Sequence, residues 1–129
     1  MSFHLQVDES CRLVELRYEG KLDTETMLQA LRSVHEKVTF GPIRYGISDF
    51  RGTSLEIDKT EFPLFIAAKD PNIFGGAKWA FLIDSPRETA LGMVYTRLKE
   101  HVHEFEIFST REAALEWLQL PEAEESSES

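Results

Sequence analysis

The stretch that decides the fold is "KWAFLIDSPRE", Lys78 to Glu88. From Trp79 to Ile83 it is apolar without a break. A strand wetted on one face alternates apolar and polar residues, so an unbroken run fits a central strand covered on both faces. The following residues then change pattern. Ser85 can cap a helix, Pro86 suits the first helical position, where no N–H is needed, and Glu88 completes a capping box. A buried strand that runs directly into a capped helix predicts an α/β protein.

The same unit recurs on both sides of this stretch. Downstream, Leu91, Val94, Tyr95, Leu98 and Val102 form a helical stripe, and "EFEIFS" (104–109) reads as a strand. Ser109-Thr110-Arg111-Glu112 repeats the capping pattern, "EAALEWLQL" continues as a helix, and Pro121 ends it. Upstream, "IRYGISDF" (43–50) reads as a strand. A helix over about 60–69 follows, with Phe62, Phe65 and Ile66 inward, and "DPNIFGG" stops it. Before that, Asp23 caps a helix whose stripe is Met27, Leu28, Leu31, Val34 and Val38, and Gly41-Pro42 breaks it. Phe3, Leu5, Val7 and then Val14, Leu16, Tyr18 alternate with polar residues around a turn-like Asp8–Cys11, which predicts a hairpin over 3–8 and 12–19.

The order is therefore β-β-α-β-α-β-α-β-α. It predicts one α/β domain over residues 1–121, with a mixed, mostly parallel sheet of four or five strands. The sheet carries an N-terminal antiparallel hairpin and about four helices. Residues 122–129 form an acidic Ser/Glu tail expected to be disordered.

Charge excludes several partners. The net charge is −9, and removing the four glutamates of the tail still leaves −5. Nucleic acid needs Lys and Arg to displace counterions, and an anionic bilayer needs basic residues, so neither is expected. Cys11 is the single cysteine and allows no internal disulfide. The N-terminus lacks the pattern of a signal peptide, and no apolar run is long enough to span a bilayer. A cytoplasmic protein is expected.

No catalytic motif stands out. There is no G-x-S-x-G, P-loop or G-x-G-x-x-G pattern, and no cofactor is expected. His101 and His103 would share a face if they lay in a strand, but no third metal ligand has a matching spacing. Ligands of open α/β sheets bind beyond the C-terminal strand ends. That places the expected binding edge at Asp49, Arg51, Asp58, Ser85 and Ser109. Asp49 and Arg51 also suit a bracing salt bridge. Phe62, Phe65, Phe74 and Trp79 are the candidates for an apolar groove beside the second helix. Within "DKTEFP" (58–63), Asp58 and Glu61 have capping-box spacing. Pro63 argues for Thr60 as the cap instead, because a helix starting at Asp58 would place the proline at its fifth position.

The element order, the hairpin, "GISDFRG", "KWAFLIDSPRE" and "FEIFSTREAALEWL" together resemble the SpoIIAA-like group over residues 3–120. This group belongs with the STAS domains of sulfate transporters and anti-sigma factor antagonists, and a related branch is STAS/SEC14-like. In the antagonists an Asp-Ser-Ser-Gly segment at a helix start carries a phosphorylated serine. By that resemblance Asp49 and Asp58 match the two acidic positions and Thr60 the phosphoacceptor. Lys59 and Glu61 depart from the pattern, and Glu61 would set a negative charge beside a phosphate. The resemblance implies a non-enzymatic regulatory or protein-binding module, controlled around Thr60, whose contact surface runs from Asp49 to Phe65. The alternative is a carrier or sensor of a small apolar, lipid-like ligand next to the second helix. A third reading, an enzyme using Asp49, Arg51 or Asp58, requires a perturbed carboxylate in a cleft. A homodimer would form through the hairpin edge or an exposed apolar helix face.

Overall fold

The unbroken apolar run does form a central strand. In the computed structural model, which describes residues 3–98 and 100–120, β6 (Lys78–Leu82) lies between β4 (Tyr45–Asp49) and β7 (Glu104–Phe108). The sheet is completed by β1 (Phe3–Asp8) and β2 (Leu13–Tyr18), in the order β1-β2-β4-β6-β7. β1 and β2 pair antiparallel as a hairpin, and every later pairing in this sheet is parallel. The period-two residues of β2 divide as their polarity demands. Val14, Leu16 and Tyr18 are buried, whereas Arg17 on the opposite face is exposed.

Four helices cover one face: α1 (Thr24–Lys37), α2 (Phe62–Ala67), α3 (Pro71–Phe74) and α4 (Pro86–Thr96). Their inward residues, among them Ala30, Val34, Phe65, Phe74 and Tyr95, share one core with Leu16, Trp79 and Phe81 of the sheet. α5 (Arg111–Leu118) lies on the other face, where Ala114, Leu115 and Leu118 bury Ile47, Ala80 and Leu82. Asp23 caps α1 by accepting from the Thr26 N–H at 2.9 Å, as the sequence predicts.

From β2 onward the parallel strands are added in one direction. Crossovers of uniform hand then place all their helices on one face. The strand order never reverses, so the sheet has no switch-point crevice of the doubly wound kind. Among the described residues the other face has a single helix, which contacts β6 and β7 and leaves polar residues of β1 and β2 open.

Three local details differ from the sequence reading. β3 (Lys21–Asp23) and β5 (Ser54–Glu56) pair in a second, two-stranded parallel sheet that was not foreseen. The predicted helix over 60–69 is a 3₁₀ turn (Lys59–Glu61) followed by the shorter α2, and "DPNIF" forms α3 instead of a plain stop, giving five α-helices among the described residues. Asp70 and Pro71 explain the split, because Asp70 caps α3 by accepting from Asn72 N–H at 2.9 Å and Pro71 takes a first-turn position. The expected tail over 122–129 lies outside the described residues.

Candidate functional site

At the C-terminal end of β4 the chain must leave the sheet, and Asp49 and Arg51 brace that exit. Arg51 donates Nε to Asp49 Oδ1 at 3.0 Å and Nη2 to Oδ2 at 2.9 Å, a two-pronged pair that fixes both groups. Burial alone would raise the Asp49 carboxyl, but the hydrogen bonds and charge of Arg51 outweigh it and hold it below the usual carboxylate range. Gly52, at φ +79°, turns its N–H toward Asp84 Oδ1 at 3.3 Å. Arg111, in the first turn of α5, donates through both terminal nitrogens to Glu15 on β2, one bond measuring 3.0 Å.

These groups border a depression of about 980 Å³ on the open half of the sheet. Arg17, Arg51 and Arg111 face Glu15, Asp49 and Asp84 around it, and His4 and Gln6 of β1 complete the rim. The surface is locally balanced, three cations against three carboxylates, within a chain of net charge −9.

The other predicted edge residues do not border this depression. Ser85 caps α4, but its hydroxyl also donates to Glu88. The cap of α5 is Thr110, which accepts from Ala113 N–H at 3.2 Å, so Ser109 lies one residue too early. The cap at "DKTEFP" is Asp58, not Thr60. Asp58 Oδ1 accepts from the Thr60 N–H and hydroxyl, both at 2.8 Å, and Glu61 Oε1 accepts from the Asp58 N–H at 3.3 Å. Pro63 is tolerated because α-helical geometry begins only at Phe62, which leaves the proline in the first turn. Thr60 remains exposed, with its hydroxyl held by Asp58.

A second region lies between the sheet and α2 and α4. A cavity of about 40 Å³ is walled by Phe62, Phe65, Ile57, Leu91 and others. A neighbouring one of about 30 Å³ reaches Trp79 and Lys69, and the two share Met27, Phe50, Phe65, Phe81 and Tyr95 as walls. Of the four residues expected to line a groove here, Phe62, Phe65 and Trp79 do. Phe74 borders neither cavity and is stacked on Trp79 with ring centroids 5.4 Å apart.

Sequence reasoning missed Lys69. Its Nζ sits 3.1 Å from Tyr95 Oη and 3.0 Å from His103 Nε2, and 4.8 Å from the centre of the Phe105 ring. No ion pair involving Lys69 is found among the described residues. Burial pulls its ammonium down from an ordinary 10.5 to about 7. His103 Nδ1 lies 3.2 Å from the Glu104 carbonyl, which only accepts, so Nδ1 carries the proton and Nε2 accepts from Lys69. Burial first, and then the Lys69 charge, push His103 down to about 3. The two histidines lie just before β7 and not in a strand, and His101 Nε2 is 2.7 Å from the Tyr95 carbonyl. Among the described residues no group of three His, Cys, Asp or Glu side chains is placed to hold a metal ion. Among them, too, no helix is long and apolar enough to cross a membrane.

Compared by sequence, the chain matches no family model and no curated protein. Compared by structure, it resembles an uncharacterized protein of the DUF3478 family from Shewanella loihica PV-4, which has a SpoIIAA-like fold. The match has a TM-score of 0.61 at 16% identity and covers 91% of this chain and 92% of the other. The chain thus has the SpoIIAA-like fold that its sequence resembles.

Proposed function

We propose that this protein is a non-enzymatic binding module of the SpoIIAA-like type that docks a partner protein on the open half of its sheet. The observation that carries this reading is the depression bordered by Arg17, Arg51 and Arg111. Arg51 and Arg111 are already held by carboxylates, so a partner that contacts them meets fixed geometry and loses little side-chain freedom. Arginine is enriched at the centres of protein interfaces, and paired charges select a partner by pattern. The local balance of charge favours a partner surface of alternating sign over a uniformly basic one.

From Gly52, which borders the depression, the chain runs through β5 to the 3₁₀ turn that carries Thr60. Control by phosphorylation at Thr60 would act through disruption. A phosphate there displaces the hydroxyl bond to Asp58 and faces the carboxylates of Asp58 and Glu61, which opens the turn. The test is affinity capture from host lysate with wild type and an Arg51→Glu variant of matching circular dichroism. A partner recovered by the wild type and lost from the variant supports docking on this face. A partner retained by both places the contact elsewhere.

A second reading is favoured by the paired apolar cavities between the sheet and α2 and α4. Apolar cavities stay dry, so a guest small enough to enter displaces no tightly bound water. Under this reading the protein carries or senses a small, largely apolar ligand.

A further inference from the structure

Lys69 is half-buried as a residue, but its ammonium is enclosed and makes no ion pair among the described residues. It follows the C-terminal end of α2, and its Nζ is enclosed by Tyr95 of α4, His103 ahead of β7, and the rings of Phe74 and Phe105. An apolar side chain of similar length would fill the space without the penalty of desolvating a charge. The titratable groups that face it are Tyr95, His101 and His103, and none of them supplies a negative charge. Burial keeps the Tyr95 phenol protonated well above its ordinary range, and both histidines are driven toward the neutral form.

We propose that Lys69 and Tyr95 form the head-group site for a small carboxylate whose short hydrocarbon tail occupies the adjoining cavities. The inference rests on the second reading above and names the ligand's chemical class. An ammonium has three N–H donors. Two are directed at Tyr95 Oη and His103 Nε2, which leaves one for a ligand on the side where Lys69 borders the smaller cavity. Tyr95 can donate its own proton to the second carboxylate oxygen. The carboxylate then supplies the missing counter-charge, and a charge-assisted pair in a dry site is strong. The tail meets Phe50, Phe65 and Phe81, walls common to both cavities. Volumes of about 30 and 40 Å³ suit a chain of only a few carbons.

The experiment is calorimetric titration of the full chain with butyrate and with butanol, at several pH values, together with a Lys69→Met variant. Butyrate is expected to bind wild type one to one and at least tenfold more tightly than butanol. Binding needs the protonated amine, so affinity should fall by about tenfold per pH unit above 7, with one proton taken up per ligand. Lys69→Met should lose the preference and bind butanol at least as tightly as butyrate, because the carboxylate is then desolvated without a partner. Butyrate binding by wild type that is no tighter than butanol binding and does not fall above pH 7 would overturn the head-group assignment and leave the cavity reading standing. Binding of neither ligand by wild type would overturn both. The pH profile of the wild type decides the matter even if the variant does not fold.

Discussion

Gly46 sits in the middle of a strand, where glycine ordinarily weakens pairing. Its reason is Trp79, its partner on β6, whose indole lies flat across the position. A Cβ built on Gly46 would come within 2.1 Å of the ring. Two residues on and on the same face, Ser48 Oγ accepts the Trp79 Nε1–H at 2.8 Å. Glycine makes room for the ring and serine fixes its orientation, so "GIS" acts as a seat for tryptophan. Gly46→Ala must displace Trp79 and the stacked Phe74, and overpacking of this kind costs roughly 1–3 kcal/mol. Urea unfolding followed by tryptophan fluorescence should show the loss together with a shifted emission maximum. Unchanged stability would mean that the ring is free to move. The sequence reading placed Gly46 in a strand and Trp79 in the core, but nothing local to either residue signals that they face each other. Lys69 escaped notice for the same reason. Its neighbours come from α4, the loop before β7 and β7 itself, and only the tertiary fold brings them together.

At the scale of elements, the large units were legible because each has a strong period or a cap. The small ones were not, because a three-residue strand has no period to read. β3 and β5 depend on contacts from outside themselves. Ser54 N–H donates to the Gly20 carbonyl at 2.9 Å, and Leu55 N–H donates to Glu88 Oε2 at 3.2 Å. Glu88 is buried and also accepts from the Ser85 hydroxyl and from Arg87 at 2.6 Å. The hydrogen bond from Ser85 chiefly, with those from Leu55 and Arg87, keeps its carboxyl below the usual range. The residue recognised in sequence as part of a helix cap therefore also ties α4 to β5. Glu88→Ala leaves the Leu55 N–H unpaired, at a cost of about 1–3 kcal/mol. Hydrogen exchange should show faster exchange at Leu55 and at the first turn of α4, with the central strands unaffected. Uniformly faster exchange would mean that the residue supports the whole core instead. The 3₁₀ turn at Lys59–Glu61 teaches the same lesson in reverse. Pro63 rightly excluded an α-helix from Asp58, but a tighter turn lets Asp58 cap and the proline stay.

For the whole molecule, the one-directional strand order divides the protein into a side built for packing and a side left partly open. Both candidate regions follow from that division. The polar depression forms beside the first turn of α5, over strands that the rest of this helix leaves uncovered, and Lys69 is enclosed where four helices crowd the opposite face. The trapped amine links global stability to pH. Its value is about 7 in the folded chain against an ordinary 10.5, so between these limits the unfolded chain holds a proton that the folded one lacks. Stability from this group is complete above 10.5 and is lost as pH falls toward 7, by up to about 1.4 kcal/mol per pH unit. Tyr18 and Tyr95 act oppositely above their ordinary 10, because burial resists their ionisation in the folded state. The contribution of Lys69 is isolated by comparing wild type with Lys69→Met in urea titrations at pH 6, 8 and 9.5. The variant should be the more stable at pH 6, and its advantage should shrink steadily at the higher values. His103, held near 3 by burial and by Lys69, should titrate closer to its ordinary 6.5 once the lysine is gone, and nuclear magnetic resonance would follow that shift directly. An advantage that stays constant with pH would show that the folded and unfolded chains bind the Lys69 proton alike.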